Sequence, residues 1–420
     1  MKIGTKNRIK QNQRGIPITL EMVKAAYRNV RSRGKAAGID GVTLEQFQEN
    51  TEANLYVVYN RMSSGTYFPP GVKQVKIPKS NGKMRNLGIP TVRDRVAQTV
   101  IKKLIEPRID SIFYEESHGC RPKKSAHQAL DSVRRRCWKK AWVIDLDIKD
   151  YFNTIDHELL MKAVEVHVEE AWIKMYIERW LKAPVVTSTG VEEKAEDKGT
   201  PQGGVLSPLL ANLFLHYALD KWLKREYPQI AFTRYMDDVI VHCTSQKEAA
   251  YILARIKERL AACKLSLNEE KTCIVYCKSE GRDGDYPKVT FDFLGYTFKP
   301  STSYNRWKKQ KFLGFNPEIS NKSQKKIGEE IRAKDKCMNF CKNIEELAKL
   351  LNPSIRGWLN YYGYIRKSGM GKVFFMLNKR IITWLRKKYK RWRTKKKCLA
   401  MLKRLRSTYP ILFAHWAAGF

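Results

Sequence analysis

Two short apolar runs carry acids where a strand would otherwise be buried: "AWVIDLDIKDYF" (141–152) and "TRYMDDVIVHC" (233–243). No other feature restricts the fold as much. In the first, Val143, Asp145 and Asp147 share one face and Ile144, Leu146 and Ile148 the other, the two-residue period of a strand. In the second, Asp237 and Asp238 stand between an aromatic and methionine pair and an apolar run, which predicts strand, turn and strand with the acids at the turn. Clustered carboxylates are costly unless neutralised, and a divalent metal is the usual answer where three converge. If the strands pair, Asp145 or Asp147 joins Asp237 and Asp238; they lie ~6.6 Å apart on one face, so spacing does not choose between them. Such a cluster, holding two Mg2+ ions about 4 Å apart, suits phosphoryl transfer to a 3′-hydroxyl with pyrophosphate leaving.

The neighbouring segments supply a setting. "GVKQVKIPKSNGKMRNLGIP" (71–90) reads as a hairpin turning at Ser80-Asn81-Gly82, with Lys79, Lys83 and Arg85 at or near its tip. "DKGTPQGGVLSPLLANLFLHYALDKWL" reads as a Gly-rich loop entering a helix, with Ser207 as N-cap, Pro208 in the first turn and Leu209, Leu210, Leu213, Phe214 and Tyr217 on its apolar face. A short helix is expected over 20–30, a helix and connector over 247–272, and a strand pair in "VTFDFLGYTFKP". From about residue 300 the pattern becomes helical and basic. The 420 residues exceed what one core usually serves, so an α+β body with an antiparallel sheet and an appended α-helical domain is predicted.

Charge points to the partner. The formal net charge is +38, and residues 301–420 hold 30 Lys+Arg against 6 Asp+Glu. A field of that size calls for a polyanion, and the Trp, Tyr and Arg woven through "RIITWLRKKYKRWRTKKK" favour contact with phosphates and bases. Nine cysteines, an odd number, fit reduced thiols. The pairs Cys273/Cys277 and Cys337/Cys341 lack nearby histidines and read as core cysteines rather than zinc ligands. With no signal-peptide core at the start and no charge-free apolar run near 18 residues, no membrane is expected and the bacterial cytoplasm is the expected compartment.

In order along the chain, "IPKSNGKMRNLGIP", "SHGCRPKKSAHQAL", "DLDIKDYFNTIDH", "GTPQGGVLSPLLANLFL", "RYMDD", "LSLNEEKT" and "FLGYTF" resemble the fingers and palm of reverse transcriptases, specifically those encoded by bacterial group II introns. "AYRNVRSRGKAAGIDGVTLEQF" is similar to that family's N-terminal extension, and "SIRGWLNYYGY" (354–364) to its maturase, or thumb, region. The resemblance implies a right-hand polymerase fold, divided into an N-terminal extension (1–45), fingers and palm with an antiparallel palm sheet (46–300), a helical thumb or maturase domain (301–372) and a short basic helical C-terminal region that binds DNA (373–420).

It assigns Asp147, Asp237 and Asp238 as metal-binding catalytic aspartates with two Mg2+ ions, choosing Asp147 because the family's ligand sits four positions before the aromatic, here Tyr151. Tyr151 becomes the steric gate against a ribose 2′-OH. Lys79, Arg85, Arg121, Gln202 and Met236 fall on nucleotide contacts, and Phe293, Leu294, Gly295 and Tyr296 on the primer grip. Arg356, Trp384, Arg386, Lys387, Lys388, Arg391, Trp392 and Arg393 are the expected RNA and DNA contacts. Asp237 is expected to pair with Asp147 as the bridging ligand, and Asp238 to bind more weakly.

Two departures stand out: Met236 replaces the usual alanine before the acids, and Cys120 the usual phenylalanine of "HGCRP". On the resemblance, no His-Asn-His endonuclease domain like that of some relatives is expected after the C-terminal segment, and priming from nascent strands is the expectation. The expected partners are group II intron RNA, as template and ribozyme, a DNA target or primer, and deoxynucleoside triphosphates; monomer and dimer stay open. The implied function is RNA-directed DNA synthesis with splicing assistance during retrohoming. Three rivals stand beside it: a splicing-only RNA-binding maturase, a two-metal nuclease, and a group II-like reverse transcriptase without an intron that serves repair or defence.

Overall fold

The acidic alternation does form a strand, and both of its faces are covered. The computed structural model describes residues 15–32, 36–78, 84–187, 190, 192–193, 197–201, 203–305, 307, 309–392 and 394–420. In chain order its strands are β1 (Val72–Pro78), β2 (Met84–Ile89), β3 (Trp142–Asp147), β4 (Val185–Val186), β5 (Glu192–Glu193), β6 (Ala231–Tyr235), β7 (Asp238–Cys243), β8 (Cys273–Tyr276), β9 (Phe291–Phe293), β10 (Tyr296–Asn305) and β11 (Gln310–Ile319). The central sheet runs β6-β7-β3-β8, antiparallel throughout. One face of β3 sends Ile144 and Leu146 into the main core, shared with the helices Val92–Ile112, Ser207–Leu215 and Gln246–Ala262. On the other face Val143 meets Val133 of the helix Ala126–Lys139 and the aromatics Phe291, Tyr296 and Phe298 of the third sheet, β11-β10-β9. A strand covered on both sides has only its end free for polar chemistry, and Asp147 is that end.

The expected hairpin forms: β1 and β2 pair antiparallel from Lys73↔Ile89 to Pro78↔Met84. β1 also pairs parallel with β4. The helix Leu20–Arg31, capped by Thr19, buries Val23, Ala26, Tyr27 and Val30 in the main core, so the N-terminal segment shares that core with the body. From Asn321 onward the helices Asn321–Ala333, Ile344–Tyr362, Gly371–Lys388 and Lys395–Thr408 pack around a separate core containing Ile331, Leu351, Ile381 and Trp416.

Four expectations need correction. Residues 301–319 are not helical: β10 and β11 pair over ten residues each, anchored by buried Phe298, Phe315 and Ile319, and helix begins only at Asn321. β10 therefore runs through the boundary drawn at 300/301, as the helix Gly371–Lys388 runs through 372/373. Ser207 is not the N-cap: Leu206 is, without a side-chain cap, and Ser207 instead donates to the Pro201 carbonyl at 2.9 Å. Cys337 is exposed and so is not a core cysteine, whereas Cys277 and Cys341 are buried; all nine cysteines are unpaired. No helix among the described residues is long and apolar enough to cross a membrane.

Candidate active site

Register decides which aspartate of β3 meets the acidic turn. β3 and β7 pair so that Asp147 lies opposite Asp238, whereas Asp145 lies opposite Ile240. β6 and β7 are joined by Met236-Asp237 alone, which puts Asp237 at the tip beside that pair. Burial and then the Asp147 carboxylate raise the Asp237 pKa, while Arg85 and Lys271 pull it down. Asp238 lies on the accessible lip of the sheet, yet surrounding protein removes enough water, with Asp237 and Asp147 adding repulsion, to push it up to about 7. Asp145 is also pushed to about 7, mainly by burial and then by Asp238, and has Lys288 and Asp292 in its surroundings. The Asp147 carboxylate raises the proton affinity of Asp145, Asp237 and Asp238 alike, an excess of negative charge that a bound cation would relieve.

The donor set, carboxylate oxygens only, suits a hard divalent cation. Among the described residues, however, no group of three His, Cys, Asp or Glu side chains already converges on one point as metal ligands do. The Lys271 ammonium sits 2.9 and 3.2 Å from the two Asp147 oxygens. Lys271 lies in "LSLNEEKT" and was not among the predicted site residues; its place in an ordered motif was the available signal.

Around the acids the structure gathers several expected residues. Arg85, exposed on β2, is close enough to Asp237 to influence its charge. Gly203 packs on β2 so tightly that a Cβ there would lie 2.2 Å from the Gly88 carbonyl, and its φ of +117° excludes other residues as well. Tyr151 is buried to 2% exposure, and its hydroxyl donates to the Ala211 carbonyl at 2.5 Å, so its ring belongs to the core beneath the site. Lys79 and Gln202 lie outside the described residues. Beside the site a cleft of about 590 Å3 is lined by Arg95, Lys102, Cys120 and Gly204 among others. A further residue that sequence reasoning missed, buried Gln98, accepts from the Val205 and Leu206 amides at 2.8 and 3.2 Å and is held by buried Asp94 at 2.8 Å. It tethers the loop that enters the helix; a glutamine within a helix gave no signal of this.

Other expected contacts are placed elsewhere. The Arg121 guanidinium is engaged by the protein itself: it donates to Asp110 Oδ1 and to the carbonyls of Tyr114, Ser117 and Asp110, a clamp on the end of the helix Val92–Ile112 at the wall of that cleft. Phe293 and Tyr296 are core residues; only Leu294 and Gly295, both at positive φ, form the surface turn. The Tyr361 hydroxyl donates to the Leu294 carbonyl at 2.9 Å, tying that turn to the C-terminal helices. Trp384 is buried and donates to the Met338 carbonyl at 2.7 Å, so it holds the helical core instead of a base. Arg356, Arg386, Lys387, Lys388 and Arg391 are exposed, Trp392 is half-buried against Tyr389, and Arg393 lies outside the described residues.

Residues 77–298 match the family described as reverse transcriptase (RNA-dependent DNA polymerase), and residues 324–401 the maturase-specific domain of group II introns. The chain is 32% identical to protein YkfC of Escherichia coli over 66% of its own length and 79% of the relative's. It is 35% identical to the group II intron-encoded protein LtrA of Lactococcus lactis over 47% of its length, but spans only 33% of that protein. With a putative COX1/OXI3 intron 1 protein of Saccharomyces cerevisiae it shares 24% identity over 66% of the chain and 38% of the relative.

Proposed function

Given that the chain belongs to the reverse transcriptase and maturase family of group II introns, and is thereby an RNA-directed DNA polymerase, we propose that it binds its intron RNA, assists splicing and copies that RNA into DNA at a DNA target during retrohoming. The observation that carries the reading is the register of the central sheet, which sets Asp147 against Asp238 with Asp237 at the adjoining turn. In this reading the hairpin β1–β2 belongs to the fingers, the central sheet is the palm and the helices from Asn321 are the thumb, followed by a basic region that binds DNA. Asp147, Asp237 and Asp238 would hold two Mg2+ ions, which would supply Lewis-acid activation of the primer 3′-hydroxyl and neutralise the triphosphate.

The chain's own residues do the rest. Arg85, joined by Lys79 and Gln202, grips the triphosphate and sugar edge of the incoming nucleotide. Tyr151 forms the floor that leaves no room for a 2′-hydroxyl, and Met236 lies under the primer terminus. Leu294 and Gly295 steer the primer. The exposed cations Arg356, Arg386, Lys387, Lys388 and Arg391 bind RNA and DNA phosphates. Primer extension on poly(rA)/oligo(dT) with Mg2+ tests the polymerase; accelerated splicing of a group II intron RNA tests the maturase role. No extension, or cleavage in its place, would overturn the first, and unchanged splicing the second.

A further inference from the structure

The turn that carries Asp237 has an unusual support. Arg234, the last residue but one of β6, is fully buried, as is Asp220. Its Nε lies 2.8 and 3.1 Å from the two Asp220 oxygens, and a terminal nitrogen lies 2.6 Å from Oδ2. The other terminal nitrogen donates to Asn212 Oδ1 at 2.7 Å and to the Met236 carbonyl at 3.2 Å. That carbonyl belongs to the peptide bond entering Asp237. A buried ion pair is a poor device for stability, since an apolar pair of similar volume often does as well. A guanidinium offers what an apolar pair lacks, a rigid fork that fixes a particular carbonyl.

Three further features converge on the same turn. Met236 has φ 58°, a left-handed conformation that a non-glycine residue keeps only where its surroundings impose it. Gly119 packs against it so closely that a Cβ there would lie 2.5 Å from the Met236 nitrogen, and the Gly119 carbonyl accepts from Asn212 Nδ2 at 2.7 Å. Asp220 ends a π-helical turn, His216–Asp220, that interrupts the helix begun at Ser207. The wider turn advances the side chains around the helix axis, and such turns recur at functional sites. The same helix accepts the Tyr151 hydroxyl at Ala211, so one buried assembly grips the turn, the Gly119 segment and the tyrosine beneath the acids.

We propose that Arg234, fixed by Asp220 and Asn212, is a positioning residue that holds the Met236-Asp237 turn in its left-handed conformation and so aims the Asp237 carboxylate at Asp147 and the metal. This rests on reading Asp237 as a metal ligand. The test pairs two variants of the full chain, Arg234→Met with Asp220→Leu together, and Arg234→Lys alone, which keeps the charge facing Asp220 but loses the fork. Each is measured for melting temperature, RNA affinity, kcat and KM for deoxynucleotide, and Mn2+ binding by calorimetry. At least the lysine variant is expected to fold and to bind RNA as wild type does, with kcat down about tenfold or more, KM for nucleotide little changed and Mn2+ affinity reduced about tenfold. Folded variants with wild-type kcat and wild-type Mn2+ affinity would overturn the inference, as would two variants that both fail to fold, which would make the network structural. If wild type itself bound no Mn2+, the metal reading would fall instead, so the two failures are distinct.

Discussion

Charge is handled in opposite ways at the two ends of this molecule. At the end of β3 and β7 three carboxylates crowd together, and the cost appears in the raised proton affinity of Asp237 and Asp238. In the C-terminal helices the cations far outnumber the acids, yet Lys387, Lys388 and Arg391 stand in solvent at almost no cost. Crowded charge is held for chemistry and tolerates little change; dispersed charge serves affinity and its losses add up gradually. Asp237→Asn is the sharpest way to break this contrast. On the proposed reading it removes a metal ligand and should lower kcat about a thousandfold, the several kcal/mol a metal supplies. Because it also removes a repelled charge, RNA affinity should stay within about twofold and melting should not fall, as filter binding and thermal melting would show. A large loss of affinity would mean that the acids shape the RNA surface.

Within the helical region, two tryptophans in the same basic tract divide the contrast again. Trp384→Ala should cost about 3–5 kcal/mol, because it empties a buried site and loses the hydrogen bond to the Met338 carbonyl. Trp392→Ala, half-exposed beside Tyr389, should cost under about 1 kcal/mol and act on RNA binding instead. Chemical denaturation separates them, and equal destabilisation would remove the distinction.

Those tryptophans also mark how far the sequence could be read. The strand of β3 and the acidic turn were legible from alternation and from the adjacent acids, but alternation left Asp145 and Asp147 open; the resemblance chose Asp147, which the register sets opposite Asp238 at the sheet end. The hairpin 72–89 was legible from its turn residues. Trp384 and Trp392 look alike in composition; only helical phase against a core that does not exist until the chain folds tells them apart. Arg121 sits in a motif that suggests a ligand, but its acceptors at Asp110, Tyr114 and Ser117 belong to a helix end whose position is set by folding. The continuation of β10 past 300 and the strand β11 were hidden, because buried Phe315 and Ile319 lie four positions apart, a spacing that suits a helix as well as a strand.

Acid should expose a likeness between the two regions. His242 in β7 and His415 in the C-terminal core are both fully buried, and burial lowers each pKa to about 3. Below the unfolded value near 6.5 the unfolded chain binds protons that the folded one does not, so stability is complete above pH 6.5 and falls as pH drops toward 3. At pH 5 each should contribute about 2 kcal/mol of loss. His242 has no hydrogen-bond partner on either ring nitrogen, whereas His415 meets Asn378 at 2.9 Å. His242→Leu should therefore relieve the acid sensitivity of the sheet at small cost at pH 7, and His415→Leu should relieve that of the helices while losing the Asn378 bond. Melting of each variant against wild type at pH 5 and 7 decides, because the raised pKa values of Asp94, Asp145 and Asp238 act in the opposite direction in wild type; a pH dependence that neither substitution changes would contradict both.

The smallest effect lies among the dispersed cations. Each phosphate contact releases counterions, so the logarithm of affinity falls with the logarithm of salt by about 0.9 for each contact to a duplex. Lys387 and Lys388 lie exposed in the last turn of their helix, with no acid in that turn to hold them. Replacing both with glutamine removes up to two contacts and leaves the buried face of Trp384 and Leu385 untouched. Between 50 and 200 mM salt, wild type should then lose about tenfold more affinity for duplex nucleic acid than the variant. Primer extension at saturating template should be unchanged, because the acids are served by other elements. An unchanged salt slope would place the phosphates on another face of the helices, and a fall in kcat at saturation would show that the two regions are coupled rather than separate.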